Sequence, residues 1–227
     1  GKSFIFGKTT GLSMKIGIVI PAHNEEQNLS ACLQSIKHAI QHIGHGQVEI
    51  LVVLDSCTDQ SLMIVKSHQM NWLECNFACV GKARDLGIRQ LIDQGVTWVA
   101  CTDADTIVDP DWLLCQMRHQ PTDAICGIVI LDDLSHLSIQ QQQKYLTHYQ
   151  DMMNHQHIHG ANLSFSAEAY IKAGGFEPIP CHEDVSLIEK FIKQCCKITW
   201  SNLVRVTTSS RLNGRAPEGL SYFLKHL

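Results

Sequence analysis

"KIGIVIPAHNEEQNLSACLQSI", residues 15–36, passes from an unbroken apolar run to a helical repeat across one short polar loop. Ile16–Ile20 is too short for a helix and is bounded by Pro21, as expected of a strand buried on both faces. Beyond the loop, Leu29, Cys32, Leu33, Ile36, Ile40 and Ile43 recur at intervals of three and four, which gives a helix one apolar face. A buried strand feeding an amphipathic helix is the unit of a parallel sheet with helices on both sides.

The unit repeats along the first half of the chain. "VEILVVLD" (48–55) is a second strand and "DQSLMIVKSHQ" (59–69) a second helix. "NFACV" (76–80) predicts a third strand, "GKARDLGIRQLIDQG" (81–95) a third helix, and "VTWVACTD" (96–103) a further strand. After Asp105 the rhythm changes. "DPDWLLCQMRH" (109–119) is a short helix with Pro110 near its first turn, "AICGIVIL" (124–131) a strand, and "SIQQQQKYLTHYQDMMNHQ" (138–156) a polar helix. "GANLSFSAEAYIKAGGF" (160–176) reads as strand, helix and glycine stop. "EDVSLIEKFIKQ" (183–194) is an amphipathic helix, "KITWSNLVRVTTS" (197–209) a strand and "EGLSYFLKHL" (218–227) a final helix. The expected fold is an α/β/α sandwich around a mostly parallel central sheet.

A chain of 227 residues fits one domain. Residues 1–13, GKSFIFGKTTGLS, lack the apolar core of a signal peptide and read as a loose leader or cloning remnant. A net charge of −4 gives no electrostatic footprint for nucleic acid. No segment has the length of a transmembrane helix. The ten cysteines are scattered without a CxxC pair and read as reduced thiols in a cytosolic setting. A zinc site from Cys75, Cys79 and nearby histidines lacks the usual spacing.

Open α/β sheets collect ligands at the carboxyl ends of their strands. Here those ends carry Pro21–Glu25, Asp55–Asp59, Gly81–Arg84 and Thr102–Asp105. No GxGxxG follows the first strand and no GxxxxGK[ST] occurs, which disfavours dinucleotide and P-loop sites. In "CTDADTIVDPDWL" (101–113), Asp103 and Asp105 are two apart and can face one volume. Such a pair either caps a loop or holds a hard divalent cation that also meets phosphate oxygens. Glu183 and Asp184 open a helix, where acids suit the helix dipole whatever else they do. Arg211 and Arg215 form either a solvated basic turn or a diphosphate clamp. His159 alone is most simply one of 13 ordinary histidines.

Taken together, "IVIPAHNEEQNLSACLQSI", "VVLDSCTDQS", "GKARDLGIRQ", "CTDADTIVDPDWL", "GANLSFSAEAYIKAGGFEP" and "HEDVSLIEKF" resemble the family 2 glycosyltransferases, from Lys15 to about Arg215. The resemblance implies a GT-A fold, with residues 14–106 as a nucleotide-sugar-binding half and 107–227 as an acceptor-binding half. It implies that Pro21, His23 and Glu25 hold base and ribose, that Asp55 contacts the base, and that Lys82 and Arg84 lie near the phosphates. The motif "LDSCTDQS" departs from the doubled aspartate common in the family, so base recognition could differ in detail. Asp103 would meet ribose or metal, and Asp105 a Mn2+ or Mg2+ ion on the diphosphate. His159, Gly160 and Asn162 would form a sugar-side wall, and Arg211 and Arg215 would close over the donor.

The likeness also turns the reading of Glu183-Asp184 from helix cap to catalytic pair, with Asp184 favoured as base. The implied reaction is inverting transfer of a sugar from a nucleoside-diphosphate donor, by default UDP, to a hydroxyl acceptor: saccharide, lipid, small metabolite or protein. A lipid acceptor would require peripheral attachment at the inner face of the membrane. Two rivals stand beside this reading. A sugar nucleotidyltransferase would carry a glycine-rich basic loop where this chain has "PAHNEE". A nucleotide-sugar-binding protein without catalysis would not need Glu183 and Asp184.

Overall fold

The computed structural model describes residues 14–44 and 46–208; the expected leader, Arg211, Arg215 and the expected final helix lie outside the described residues. The elements run β1 (Lys15–Ala22), α1 (Leu29–His42), β2 (Gln47–Asp55), α2 (Ser61–Ser67), β3 (Asn71–Cys75), α3 (Val80–Asp93), β4 (Trp98–Cys101) and β5 (Thr106–Val108). They continue with α4 (Trp112–Arg118), β6 (Ala124–Leu131), α5 (Ile139–His148), β7 (Leu163–Ser166), α6 (Ala167–Ala173), α7 (Glu183–Lys193) and β8 (Ile198–Thr208).

All eight strands form one sheet in the order β3-β2-β1-β4-β7-β6-β8-β5. The first four are parallel, as the repeating βα units require. β7 then enters antiparallel to both β4 and β6, β6 and β8 are parallel, and β5 closes the edge antiparallel to β8.

The pleat divides the core into two layers. Ile16, Ile18 and Ile20 of β1 pack with Leu29, Leu33 and Ile36 of α1 on one face. Val19 packs with Ile88 and Leu91 of α3 and with Leu187 and Phe191 of α7 on the other. Fully burying a Leu or Ile is worth about 1.5–3 kcal/mol, so both faces contribute heavily to stability. α3 lies unusually close to the sheet: a Cβ on Gly87 would sit 2.7 Å from Val53 and 2.8 Å from Val19. This proximity sets the height of Arg84, one turn earlier on the same helix.

Three elements differ from the sequence expectation. The third strand is "NWLEC" (71–75), not 76–80. It is a half-polar edge strand and so has no apolar run to read, while residues 77–79 turn around the carboxylate of Asp55. The polar helix α5 ends at His148, and His155, His157 and His159 instead alternate along an irregular segment whose rings stack beside Tyr149. β5, three residues long, carries too little pattern to be predicted.

Candidate active site

The loops after β1 and β2 are interlocked, which builds one wall of a cleft. Asn24, held at φ 50°, accepts hydrogen bonds from the Thr58 N–H at 2.8 Å and the Asp59 N–H at 3.3 Å. Asp59 accepts from the Glu26 N–H at 3.1 Å, and Glu26 accepts from the Gln60 N–H at 3.0 Å. The Glu25 N–H donates to Ser61 Oγ at 3.0 Å, and its carboxylate accepts from the Asn28 amide at 3.2 Å. His23 Nδ1 donates to the Asp55 carbonyl at 2.9 Å, which fixes the ring over the end of β2. Asn24 and Ser61 are structural partners that sequence reasoning missed; a polar side chain in a turn was the available signal.

Asp55 is committed to the chain itself. Its Oδ1 accepts from the Phe77 and Ala78 N–H groups at 2.8 and 2.9 Å and from Ser56 Oγ at 3.0 Å, and its Oδ2 accepts from the Cys79 N–H at 3.0 Å. Asp55 therefore pins residues 77–79, which lead into α3, and lines the cleft from that position. Lys82 does not line the cleft. It is exposed, with its ammonium 5.9 Å from the centre of the Phe77 ring, because the neighbouring positions on α3 turn Arg84 inward and Lys82 outward.

Arg84 is the centre of the opposite wall. Its buried guanidinium donates to Asp103 Oδ1 at 2.6 Å and to Glu183 Oε1 at 2.8 Å, joining the end of β4 to the start of α7. Arg84, expected near the phosphates, lines the cleft and cross-links two carboxylates. Burial alone would weaken its charge, but Asp103 and Glu183 outweigh that and hold the guanidinium firmly protonated. A Cβ on Gly160 would meet Arg84 Nη1, so only glycine lets this backbone lie against the guanidinium. Burial raises the Glu183 carboxyl above its ordinary value, with Arg84 opposing and Asp184 adding to the rise. One Glu183 oxygen has no hydrogen-bond partner among the described residues.

Asp184 is held by backbone donors: Oδ2 accepts from the Gly160 N–H at 2.9 Å and Oδ1 from the Val185 N–H at 2.8 Å. Gly160 is the part of the expected sugar-side wall that lines the cleft. The other two members lie behind it. His159 is buried with Nε2 2.8 Å from the Tyr149 hydroxyl, and burial followed by His157 and His155 lowers its pKa to about 3. Asn162 spends its whole amide on the fold, donating to the Ile128 and Val204 carbonyls at 2.9 and 2.8 Å and accepting from Trp112 Nε1 at 3.0 Å. Neither side chain lines the cleft: both are buried behind Gly160.

Asp105 sits across from Glu25 and beside Asp103. Burial first, then the Asp103 and Glu25 charges, push its carboxyl up to about 7, against a bond from Thr106 Oγ1 at 3.1 Å. The cleft of about 360 Å³ is lined by Glu25, Asp55, Asp103, Asp105, Glu183 and Asp184, and Arg84 is the only Lys or Arg lining it among the described residues. Among those residues no group of three or more His, Cys, Asp or Glu is arranged to hold a metal ion, at Cys75 and Cys79 or elsewhere. All ten cysteines are free thiols.

The family model for glycosyl transferase family 2 matches residues 17–172. Over 106 residues the chain is 29% identical to the poly(ribitol-phosphate) beta-N-acetylglucosaminyltransferase TarS of Staphylococcus aureus, covering 44% of this chain and 18% of that protein. It is 31% identical over 104 residues to the glycosyltransferase GlyA of Streptococcus pneumoniae, covering 44% and 14%. The chain thus spans less than a fifth of the curated relatives it matches. Among solved structures, S. aureus TarS 1–349 in complex with UDP superposes with a TM-score of 0.64 at 16% identity, covering 93% of this chain and 69% of that one. The mannosyltransferase PcManGT of Pyrobaculum calidifontis, in complex with GDP-Man and Mn2+, gives 0.63 at 15% identity, covering 89% and 59%. These structures share the fold, and the family model covers well over half of the sequence: this chain belongs to glycosyl transferase family 2.

Proposed function

We propose that the chain is the catalytic unit of an inverting glycosyltransferase that moves a sugar from a nucleoside-diphosphate donor to an acceptor hydroxyl, with residues 14–106 binding the donor and 107–227 the acceptor. One observation carries the reading. Asp103 and Asp105, from the end of β4, and Glu183 and Asp184, from the start of α7, line the same cleft at the carboxyl end of the parallel strands. UDP is the default carrier, supported by the UDP complex of TarS; the GDP-Man complex of PcManGT makes GDP the first alternative.

A divalent cation, Mn2+ or Mg2+, suits these residues. Asp105 has its proton affinity raised by burial and by the acids around it, the mark of a pocket short of positive charge. Asp105 and Asp103 would hold the ion, which would neutralise the charge gathering on the departing diphosphate. Without a cation, the six acids and one arginine that line the cleft among the described residues repel a diphosphate.

The protein's own contribution follows from charge and position. The acceptor hydroxyl attacks the anomeric carbon as the diphosphate leaves from the opposite face, which inverts that centre. The hydroxyl's proton passes to a carboxylate within about 3 Å. Asp184 suits this better than Glu183, because Glu183 shares its charge with Arg84 while Asp184 has no ion-pair partner among the described residues and is oriented by two backbone N–H groups.

Calorimetric titration of UDP, GDP, CDP and ADP, each with Mn2+ and again with EDTA, tests the donor half of this reading. The expected result is binding of one diphosphate that needs the metal and is lost in Asp105→Ala. Equal binding in EDTA, or binding that survives Asp105→Ala, would contradict it.

A further inference from the structure

We infer that Tyr170 and Asp85 are positioning residues: they pin the Gly174-Gly175-Phe176 turn to α3 and thereby hold Arg84 and Glu183 in register. The inference rests on the proposed transferase reading and concerns residues that do not line the cleft. Tyr170 is fully buried on α6, and its hydroxyl makes two bonds. It donates to Asp85 Oδ1 at 2.6 Å and accepts from the Phe176 N–H at 3.1 Å. One oxygen therefore joins α3, α6 and the turn that follows α6.

The rest of the turn is gripped by the same helix. Gly174 and Gly175 have φ values of 82° and 79°, a left-handed pair that glycine adopts without penalty. A Cβ on Gly175 would lie 2.7 Å from Asp85 Oδ1, so the backbone is drawn tightly against α3. Arg89, which chelates Asp85 through Nε at 3.0 and 3.1 Å, also donates to the Gly174 carbonyl at 3.3 Å. Phe176, placed by this socket, packs against Phe165 and Tyr170, and the Arg84 guanidinium lies 6.0 Å from its ring centre. Farther along, Cys79 Sγ donates to the Ile179 carbonyl at 3.7 Å before the chain reaches Glu183.

Arg84 and Asp85 are consecutive, yet they hold the segment at two places. Arg84 grips Glu183 directly and Asp85 grips Phe176 through Tyr170. The two grips together fix the distance between the end of β4 and the start of α7, which is where the four carboxylates must converge.

Tyr170→Phe removes one oxygen and keeps the ring, so the fold is expected to persist. The assay is hydrolysis of UDP-glucose, UDP-N-acetylglucosamine and GDP-mannose with Mn2+, in which water attacks the anomeric carbon, the bond to the diphosphate breaks and the water's proton goes to the base. In Tyr170→Phe, kcat should fall about 10- to 100-fold, in line with a small misplacement of reacting groups, with KM for the donor within about twofold. Hydrogen exchange should rise in residues 174–184 and stay unchanged in β1 and β2. Asp85→Asn, which can still accept from Tyr170, should lose less activity than Asp85→Ala. Wild-type kcat in Tyr170→Phe, with unchanged exchange over 174–184, would overturn the inference. Absence of turnover and of diphosphate binding in the wild-type protein would instead overturn the transferase reading itself.

Discussion

The two walls of the cleft are both acidic, but they use their acids differently. On the wall made by the loops after β1 and β2, carboxylates accept from backbone N–H groups: Asp55 from residues 77–79, Asp59 from Glu26 and Ser61, Glu26 from Gln60. Those charges hold turns together. On the facing wall, Asp103 and Glu183 share one buried arginine, burial and then the neighbouring acids raise the Asp105 carboxyl, and Asp184 accepts from the Gly160 and Val185 N–H groups. The contrast teaches that an aspartate at a strand end is no guide to its work until its partners are known. The carboxylates of the second wall crowd around a single arginine among the described residues, and it is to them that we assign the chemistry.

If that division is right, the largest effect comes from Asp184→Asn. Turnover should fall by about 10²–10⁴-fold, the usual worth of a general base, while Mn2+-dependent diphosphate binding is retained. Arg84→Met should come next, since it leaves the buried Glu183 and the partly buried Asp103 without their shared partner charge. A loss of about 3–5 kcal/mol in urea unfolding is expected, as for other broken buried pairs. An unchanged denaturation midpoint would mean that the pair is not held as described.

A pH titration sharpens the same comparison. The Asp105 carboxyl is raised to about 7 in the folded, metal-free protein from an ordinary value of 3.8. The folded state therefore takes up the proton more readily than the unfolded chain, and the stabilisation is fully present below 3.8 and lost as pH rises through 7. In EDTA, Tm should decline between pH 5 and 8 through this group, and the decline should disappear in Asp105→Asn. Because a metal must displace the proton, Mn2+ affinity should rise across the same interval. The smallest effect is expected at Lys82→Ala, whose side chain is exposed outside the cleft. Donor KM should change less than about twofold, as for other surface substitutions. A tenfold rise in KM would return Lys82 to the phosphates.

Much of this was legible before any coordinates. Periodicity located β1, α1, β2, α3 and α7 because each is long and packs one clear apolar face or run. Strand ends pointed to Pro21, His23, Glu25, Asp55, Asp103 and Asp105, which line the pocket; Arg84 reaches it from within α3, and Glu183 and Asp184 from the start of α7. What stayed hidden was pairing between distant residues. No local pattern in "GKARDLG" says that Arg84 faces Glu183, 99 positions away, or that Asp85 receives a hydroxyl from Tyr170, 85 positions away. Asn162 entered the expected wall through the family resemblance, and its surroundings could not be read from the chain around it. Its burial among Ile128, Val204 and Trp112 depends on two strands and a helix meeting, which is a property of the fold.

The central claim, that the second wall does the chemistry, is tested most directly by comparing wild-type protein and Asp184→Asn. Consumption of UDP-glucose, UDP-N-acetylglucosamine and GDP-mannose is followed by NMR with Mn2+ present, alongside calorimetric binding of UDP and GDP. The account predicts that the wild-type protein consumes one donor and releases sugar of inverted anomeric configuration. It also predicts that Asp184→Asn binds the matching diphosphate with unchanged affinity and turns over at least about 10²-fold more slowly. Undiminished turnover in Asp184→Asn, or retention of configuration, would contradict it.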